Sequence, residues 1–232
     1  MTTGPKAPVT EIRAPVPGLP WIGRLAMLLP AIGVIVLAAP RLISGFALEA
    51  AFPATTEITM NMTLPQATNK FVAQVLSHAS PSDGETQILR AEAAVNAGFP
   101  PGMVIPIVRS ALIREPTDAR GWILLAALLK DHDPKGAASA LSLAIELAPR
   151  EYYLVIPRAF VGASLWNYLS KDVQARIVDD AHVIATSNEF RGGLQSLLDA
   201  QGGTELVGRA LAGHPDQLRA LNRSLARERL GP

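Results

Sequence analysis

From Gln66 onward the apolar residues recur at helical spacing, and the breaks between runs fall on prolines, glycines and short Asp/Ser turn signals. The first run, QATNKFVAQVLSHA, sets Phe71, Val72, Val75 and Leu76 on one predicted buried stripe and ends at SPSDG. A second helix is predicted from Glu85 to Ala97, closed by Gly98, Pro100 and Pro101, and a third from Gly102 to Arg114, closed by Pro116. Pro106 falls early enough in that third helix to be tolerated near its first turn. Thr117 or Asp118 caps a fourth helix, which contains WILLAALLK and ends at Asp131–Pro134; a fifth, KGAASALSLAIELA, ends at Pro149. Beyond it, EYYLVIPRAFVGASLWNYLS is interrupted at Pro157 and followed by a long amphipathic helix, KDVQARIVDDAHVIAT. The pairs Gly192–Gly193 and Gly202–Gly203 break the chain over 189–203, and two short helices are expected at 204–212 and 215–229, with His214–Pro215–Asp216 as the turn between them.

The pattern upstream is of another kind. Between Arg24 and Arg41 lie sixteen uncharged residues, LAMLLPAIGVIVLAAP. Arginine stems can remain in an apolar layer while their guanidinium groups reach its edge, so the usable span runs from Trp21 to Phe46 and is long enough for a transmembrane helix. Trp21 and Phe46 then stand near the two interfaces, where aromatic rings are favoured. Two alternatives are a buried core helix and a cleaved signal peptide. The first would leave an apolar side facing water; for the second, the run begins only at Leu25 and the tolerable small-residue site is after Ala38, with Pro40 just beyond. An uncleaved anchor fits better. Lys6, Arg13 and Arg24 precede the span with one acid, Glu11, whereas Arg41 follows it with Glu49 and Glu57 nearby, which puts the N-terminus in the cytoplasm. Residues 1–20, with five prolines, form a tail without a fixed fold; residues 47–65, which include Pro53 and Pro65, form a linker; residues 66–232 form the helical domain.

Spacing adds organisation to the helices. Pro116 and Pro149 stand about 33 residues apart, a period typical of helix–turn–helix repeats. Upstream of each comes a matched set: Ala111 with Ala144, Val108 with Leu141, Val104 with Ala137, and further back Leu89 with Trp122. A unit repeated at this period resembles the tetratricopeptide family. The resemblance is carried by Trp122, Leu125, Ala126 and Leu129, then Ala137, Leu141, Ala144 and Pro149, so it covers 117–149 best and 84–116 less well. Ala126 stands where the family has glycine, the loop is one residue short, and Leu89, Glu92 and Asn96 occupy places where bulky apolar residues are expected. The resemblance implies an all-α fold, a short solenoid of antiparallel helix pairs. In it Ala126 and Ala137 permit close approach, Trp122 and Leu129 fill the space between units, and residues from 150 on form an atypical capping unit. An ordinary alanine-rich antiparallel bundle is the alternative.

Composition narrows the chemistry. The 232 residues include no cysteine, which removes disulfides, thiolate metal sites and cysteine nucleophiles, and the net charge of +1 provides no global field for nucleic acid. The histidines, His78, His132, His182 and His214, have no partner histidine at helical spacing, so no metal site is assigned. Asp179 and Asp180 are adjacent in a helix and diverge by about 100°, so they do not work as a facing acid/base pair without help from elsewhere. Gly162-Ala163-Ser164 lacks the second glycine of a nucleophile elbow, and neither glycine pair has the Lys-Ser/Thr of a phosphate loop. The sequence therefore assigns no catalytic, cofactor-binding or metal-binding residue and points away from an enzyme. Arg219, Arg223 and Arg227 line one face of the last helix, with Arg209 and Arg229 nearby; they complement the helix dipole or meet an anionic partner.

These features leave two functional classes. The first is a membrane-anchored interaction module of the bacterial cell envelope: the apolar span and its flanking charges put it in the cytoplasmic membrane with the helical domain in the periplasm, and the resemblance implies a repeat groove that holds a protein partner. SLWNYLSKDVQARIVDDAHVIA is similar to the C-terminal part of small membrane-bound helical proteins associated with envelope polysaccharide synthesis or export, which implies that setting. The alternative is an envelope enzyme or accessory subunit with scattered catalytic residues, for which a perturbed carboxylate in a concave pocket would speak.

Overall fold

A computed structural model describes residues 65–77 and 83–219, together with 221 and 223. The tail at 1–20, the span at 21–46, the linker as far as Leu64, His78, Arg227 and Arg229 lie outside these residues. Every regular element among the described residues is helical, and none of these helices is long and apolar enough to cross a membrane.

Nine α-helices appear among the described residues in chain order: α1 Gln66–Leu76, α2 Gly84–Asn96, α3 Pro101–Arg114, α4 Ala119–Leu129, α5 Pro134–Leu147, α6 Val155–Leu165, α7 Lys171–Thr186, α8 Arg191–Asp199 and α9 Gly203–Ala210. Short 3₁₀ turns stand at Tyr152–Leu154, Trp166–Tyr168 and Asn188–Phe190, and residues 215–219, 221 and 223 are again helical. Each of α2–α3, α4–α5 and α6–α7 packs as an adjacent pair. The leading helices α2, α4 and α6 also touch in sequence, as do the trailing helices α5 and α7.

The starts of these helices are set by side chains and ring chemistry. Asp83, Asp118 and Asp133 cap α2, α4 and α5, accepting from Thr86 N, Gly121 N and Gly136 N at 3.3, 3.0 and 2.9 Å, and Ser170 caps α7. Of the two residues offered for the α4 cap, Asp118 fills the place. Pro101 and Pro134 are the first residues of α3 and α5, where the ring sets the helical φ and the missing N–H has no partner to lose. Both helices therefore begin one residue before the positions predicted from sequence. Gly98 closes α2 in the left-handed region at φ 83°, a conformation that a side chain would oppose. Pro106 sits in the second turn of α3, one residue deeper than the predicted start at Gly102 would put it.

The expected recurrence is visible as burial. Val104, Val108 and Ala111 in α3 and Ala137, Leu141 and Ala144 in α5 all have 0% exposure, and the two triplets are one repeat period apart. The same internal spacing reappears in α7 as Ile177, Ala181 and Ile184, again at 0%, but beyond the place where the period would put it. In the leading helices the period does not slip: Ala93, Ala126 and Ala159 are each at 0% and follow one another at the full repeat interval. The third pair thus keeps its leading helix in phase, while its trailing helix is displaced by about seven residues, two helical turns. Part of the displacement is the Trp166–Tyr168 turn, which delays the start of α7.

Three expectations need correction. Phe71 is 54% exposed and not on the buried stripe of α1, which consists of Asn69, Val72, Ala73 and Leu76. The i, i+3, i+4, i+7 spacing of those four outweighs the adjacency of Phe71 and Val72. Trp122 is only half-buried; it packs against the core and donates its indole N–H to Pro116 O at 2.8 Å, bracing the α3–α4 turn. Gly192–Gly193 does not break the chain but lies inside α8, whose Leu194 and Leu197 are buried. A Cβ at Gly193 would come within 2.5 Å of Ile156, so that glycine permits α8 to approach α6.

Candidate functional site

The first turns of the leading helices and the 3₁₀ turn before α6 come together around a pocket of about 410 Å³. Ile88 and Leu89 provide apolar wall, Glu85, Glu115, Asp118 and Arg120 provide charge, and Tyr153 stands at its edge. Glu85, Asp118 and Glu151 stand 33 residues apart, at or just before the first turns of α2, α4 and the 3₁₀ turn that leads into α6, and a helix N-terminus favours an acid.

Arg120, from α4, does not simply neutralise these acids, because both its Nε and one terminal nitrogen are engaged by the two oxygens of Glu92 on α2. The pair is largely enclosed, with 18% and 15% side-chain exposure. Burial pushes the Glu92 carboxyl up to about 7, and Arg120 opposes that rise. Tyr153 is also displaced upward, first by partial burial and then by the charges of Glu151 and Asp118. The pocket therefore suits a basic or hydrogen-bond-donating group seated over an apolar wall.

A second groove, of about 440 Å³, runs between α1, α2 and α3. Phe99, Met103 and Ile107 line it together with Lys70 and Arg90, so its charge is of the opposite sign.

Residues weighed in the sequence take up definite places. Asp179 is exposed and Asp180 buried, which agrees with their expected divergence. Asp180 receives Arg158 in a bidentate contact at 2.8 and 2.9 Å, and Arg158 also donates to Ala148 O at 2.6 Å. Desolvation holds the Asp180 carboxyl above its ordinary value despite Arg158. Glu92, Leu125 and Arg158 occupy one register position in successive units, and that register is the signal in the sequence for the buried arginine, which composition and motif spacing alone do not single out. Ser164 is helical and bonds back to Phe160 O. Gly162 serves packing, since a Cβ there would lie 2.8 Å from Ile177.

His132 lies exposed in the α4–α5 turn. His182 and His214, far apart in sequence, meet with ring centroids 4.9 Å apart, a pairing that helical spacing does not reveal. No group of three metal-ligating side chains occurs among the described residues. Arg209 does not join a stripe but lies over Trp166 at 4.5 Å; Arg219 pairs with Asp216, and Arg223 donates to Arg219 O.

No protein-family model matches this chain, and no curated protein or solved structure was found to be significantly similar to it.

Proposed function

We propose that this protein is a single-pass, membrane-anchored interaction protein of a bacterial cell envelope, in which tetratricopeptide-like helix pairs hold a protein partner. Residues 21–46 anchor it in the cytoplasmic membrane, with the N-terminus in the cytoplasm and the helical domain in the periplasm. The reading is carried by one observation: fully buried positions recur at the repeat interval in helices that pack pair upon pair. The partner docks at the pocket of Glu85, Glu115, Asp118 and Tyr153 and brings a basic side chain to it. A role in polysaccharide synthesis or export rests on the resemblance of residues 164–185 alone.

The second reading, an envelope enzyme or accessory subunit, has the raised pKa of Glu92 in its favour. Both oxygens of that carboxylate are occupied by Arg120, so an interaction module is the better account.

Two measurements in cells test the proposal. A reporter active only in the periplasm is expected to work when fused after Pro232 and to fail when fused at residue 20; the reverse would overturn the localisation. A photocrosslinking side chain at position 153 is expected to give a defined adduct that Glu85→Lys with Glu115→Lys abolishes. An adduct indifferent to those charges, or no adduct, would overturn the docking site.

A further inference from the structure

We propose that His182 and His214 bind a divalent first-row transition-metal ion of the Zn²⁺ and Cu²⁺ class. The geometry has two independent parts. The rings stand 4.9 Å apart between centroids and are tilted by 43°. An imidazole bound through one nitrogen at about 2.0 to 2.1 Å has its ring centre about 3.2 Å from the metal, so two such rings at a tetrahedral angle stand about 5 Å apart. The observed 4.9 Å falls within the separation that two imidazole ligands on one ion require.

The second part concerns the tautomer. His182 Nδ1 lies 3.2 Å from Ala210 O, and a carbonyl only accepts, so the ring proton is on Nδ1 and the Nε2 lone pair is left for a ligand. A carbonyl holding the distal N–H is also the support that metal-binding imidazoles require to fix their orientation. The His214 side chain is exposed in the turn after α9 and has no hydrogen-bond partner among the described residues, so either of its nitrogens is free to coordinate. With no third side chain to close the set among those residues, water completes the coordination shell. Imidazole nitrogen suits Cu²⁺ and Zn²⁺ and not Mg²⁺ or Ca²⁺, and Cu²⁺ binds more tightly than Zn²⁺. The ion would join α7 to the turn that leads into the arginine-bearing last helix, a cross-link between segments separated in the chain by the whole of α8 and α9.

The test uses the full chain without an affinity tag, in detergent, stripped with EDTA and titrated calorimetrically with CuCl₂ and separately with ZnCl₂. One ion per chain is expected, with Cu²⁺ tighter. His214→Ala and His182→Ala should each lower the affinity by about tenfold or more, and His132→Ala should leave it unchanged. Zn²⁺ at about a hundredfold over Kd should raise Tm by about 5 °C or more in the wild type and not in His214→Ala. Because His214 is exposed, that variant keeps its metal-free melting temperature and decides the matter even if His182→Ala fails to fold. No binding, or binding that survives His214→Ala undiminished, would overturn the site. MgCl₂ matching ZnCl₂ in the melt would do the same.

Discussion

Glu92 makes the stability of the helical domain depend on pH in a way that one substitution isolates. Its carboxyl is pushed from 4.5 to about 7 by burial between α2 and α4, against the pull of Arg120. A carboxyl whose folded pKa is higher than its unfolded one takes up protons on folding. Its contribution to stability is therefore fully present below pH 4.5 and is lost as pH rises through about 7. Each tenfold in proton affinity is about 1.4 kcal/mol, so the contribution changes by about 2 to 3 kcal/mol between pH 5 and pH 8. Glu92→Gln keeps the shape and a hydrogen bond to Arg120 and does not titrate. Asp180, displaced in the same direction, is common to both chains and cancels in the comparison. Urea unfolding followed by helical circular dichroism at several pH values is the assay. With a slope of about 2 kcal/mol per molar, the wild-type midpoint should fall by roughly 1 M more than that of the Gln variant over the range. Parallel pH profiles for the two chains would show that Arg120 keeps Glu92 ionised throughout and would refute the reasoning.

Other substitutions test the packing. Asp180→Asn leaves the Arg158 guanidinium, with 3% side-chain exposure, without its carboxylate and should cost about 3 to 5 kcal/mol in thermal melts, while Arg158→Met with Asp180→Leu should recover most of that loss. Trp122→Ala should cost about 2 to 3 kcal/mol, less than a fully enclosed tryptophan, and Trp122→Phe about 1 kcal/mol from the lost bond to Pro116 O. One glycine taken from each pair should behave oppositely on chemical denaturation. Gly203→Ala brings a Cβ into backbone at Leu197 and should destabilise by more than about 2 kcal/mol, whereas Gly192→Ala meets nothing within 4 Å and should stabilise by about 0.5 to 1 kcal/mol.

Local chemistry was readable where it is dictated over one or two turns. Asp118 caps, Ala111 and Ala144 are buried, and Gly98 ends a helix, because each depends on neighbours a few residues away. Prolines were harder, since the same ring that terminates one helix can be the first residue of the next, as at Pro101 and Pro134. Gly192–Gly193 misled for a related reason: small size serves turns and close helix contacts equally, and only the presence of Ile156 across the interface distinguishes them. The candidate site was less legible still. Arg158 reads as a surface cation until Asp180 is seen opposite it, and His182 and His214 meet only because α9 returns the chain to α7.

The slip of the trailing helix in the third pair has a consequence for how such a chain can change length. A further pair of 33 residues inserted after Pro149 would keep the leading helices in the phase marked by Ala126 and Ala159. A copy added beyond Thr186 would not, because α7 hands on a different phase. Reach is thus an adjustable quantity in the interior of the domain and a fixed one at its far end. A longer version would add helix pairs between its two ends and leave both ends unaltered.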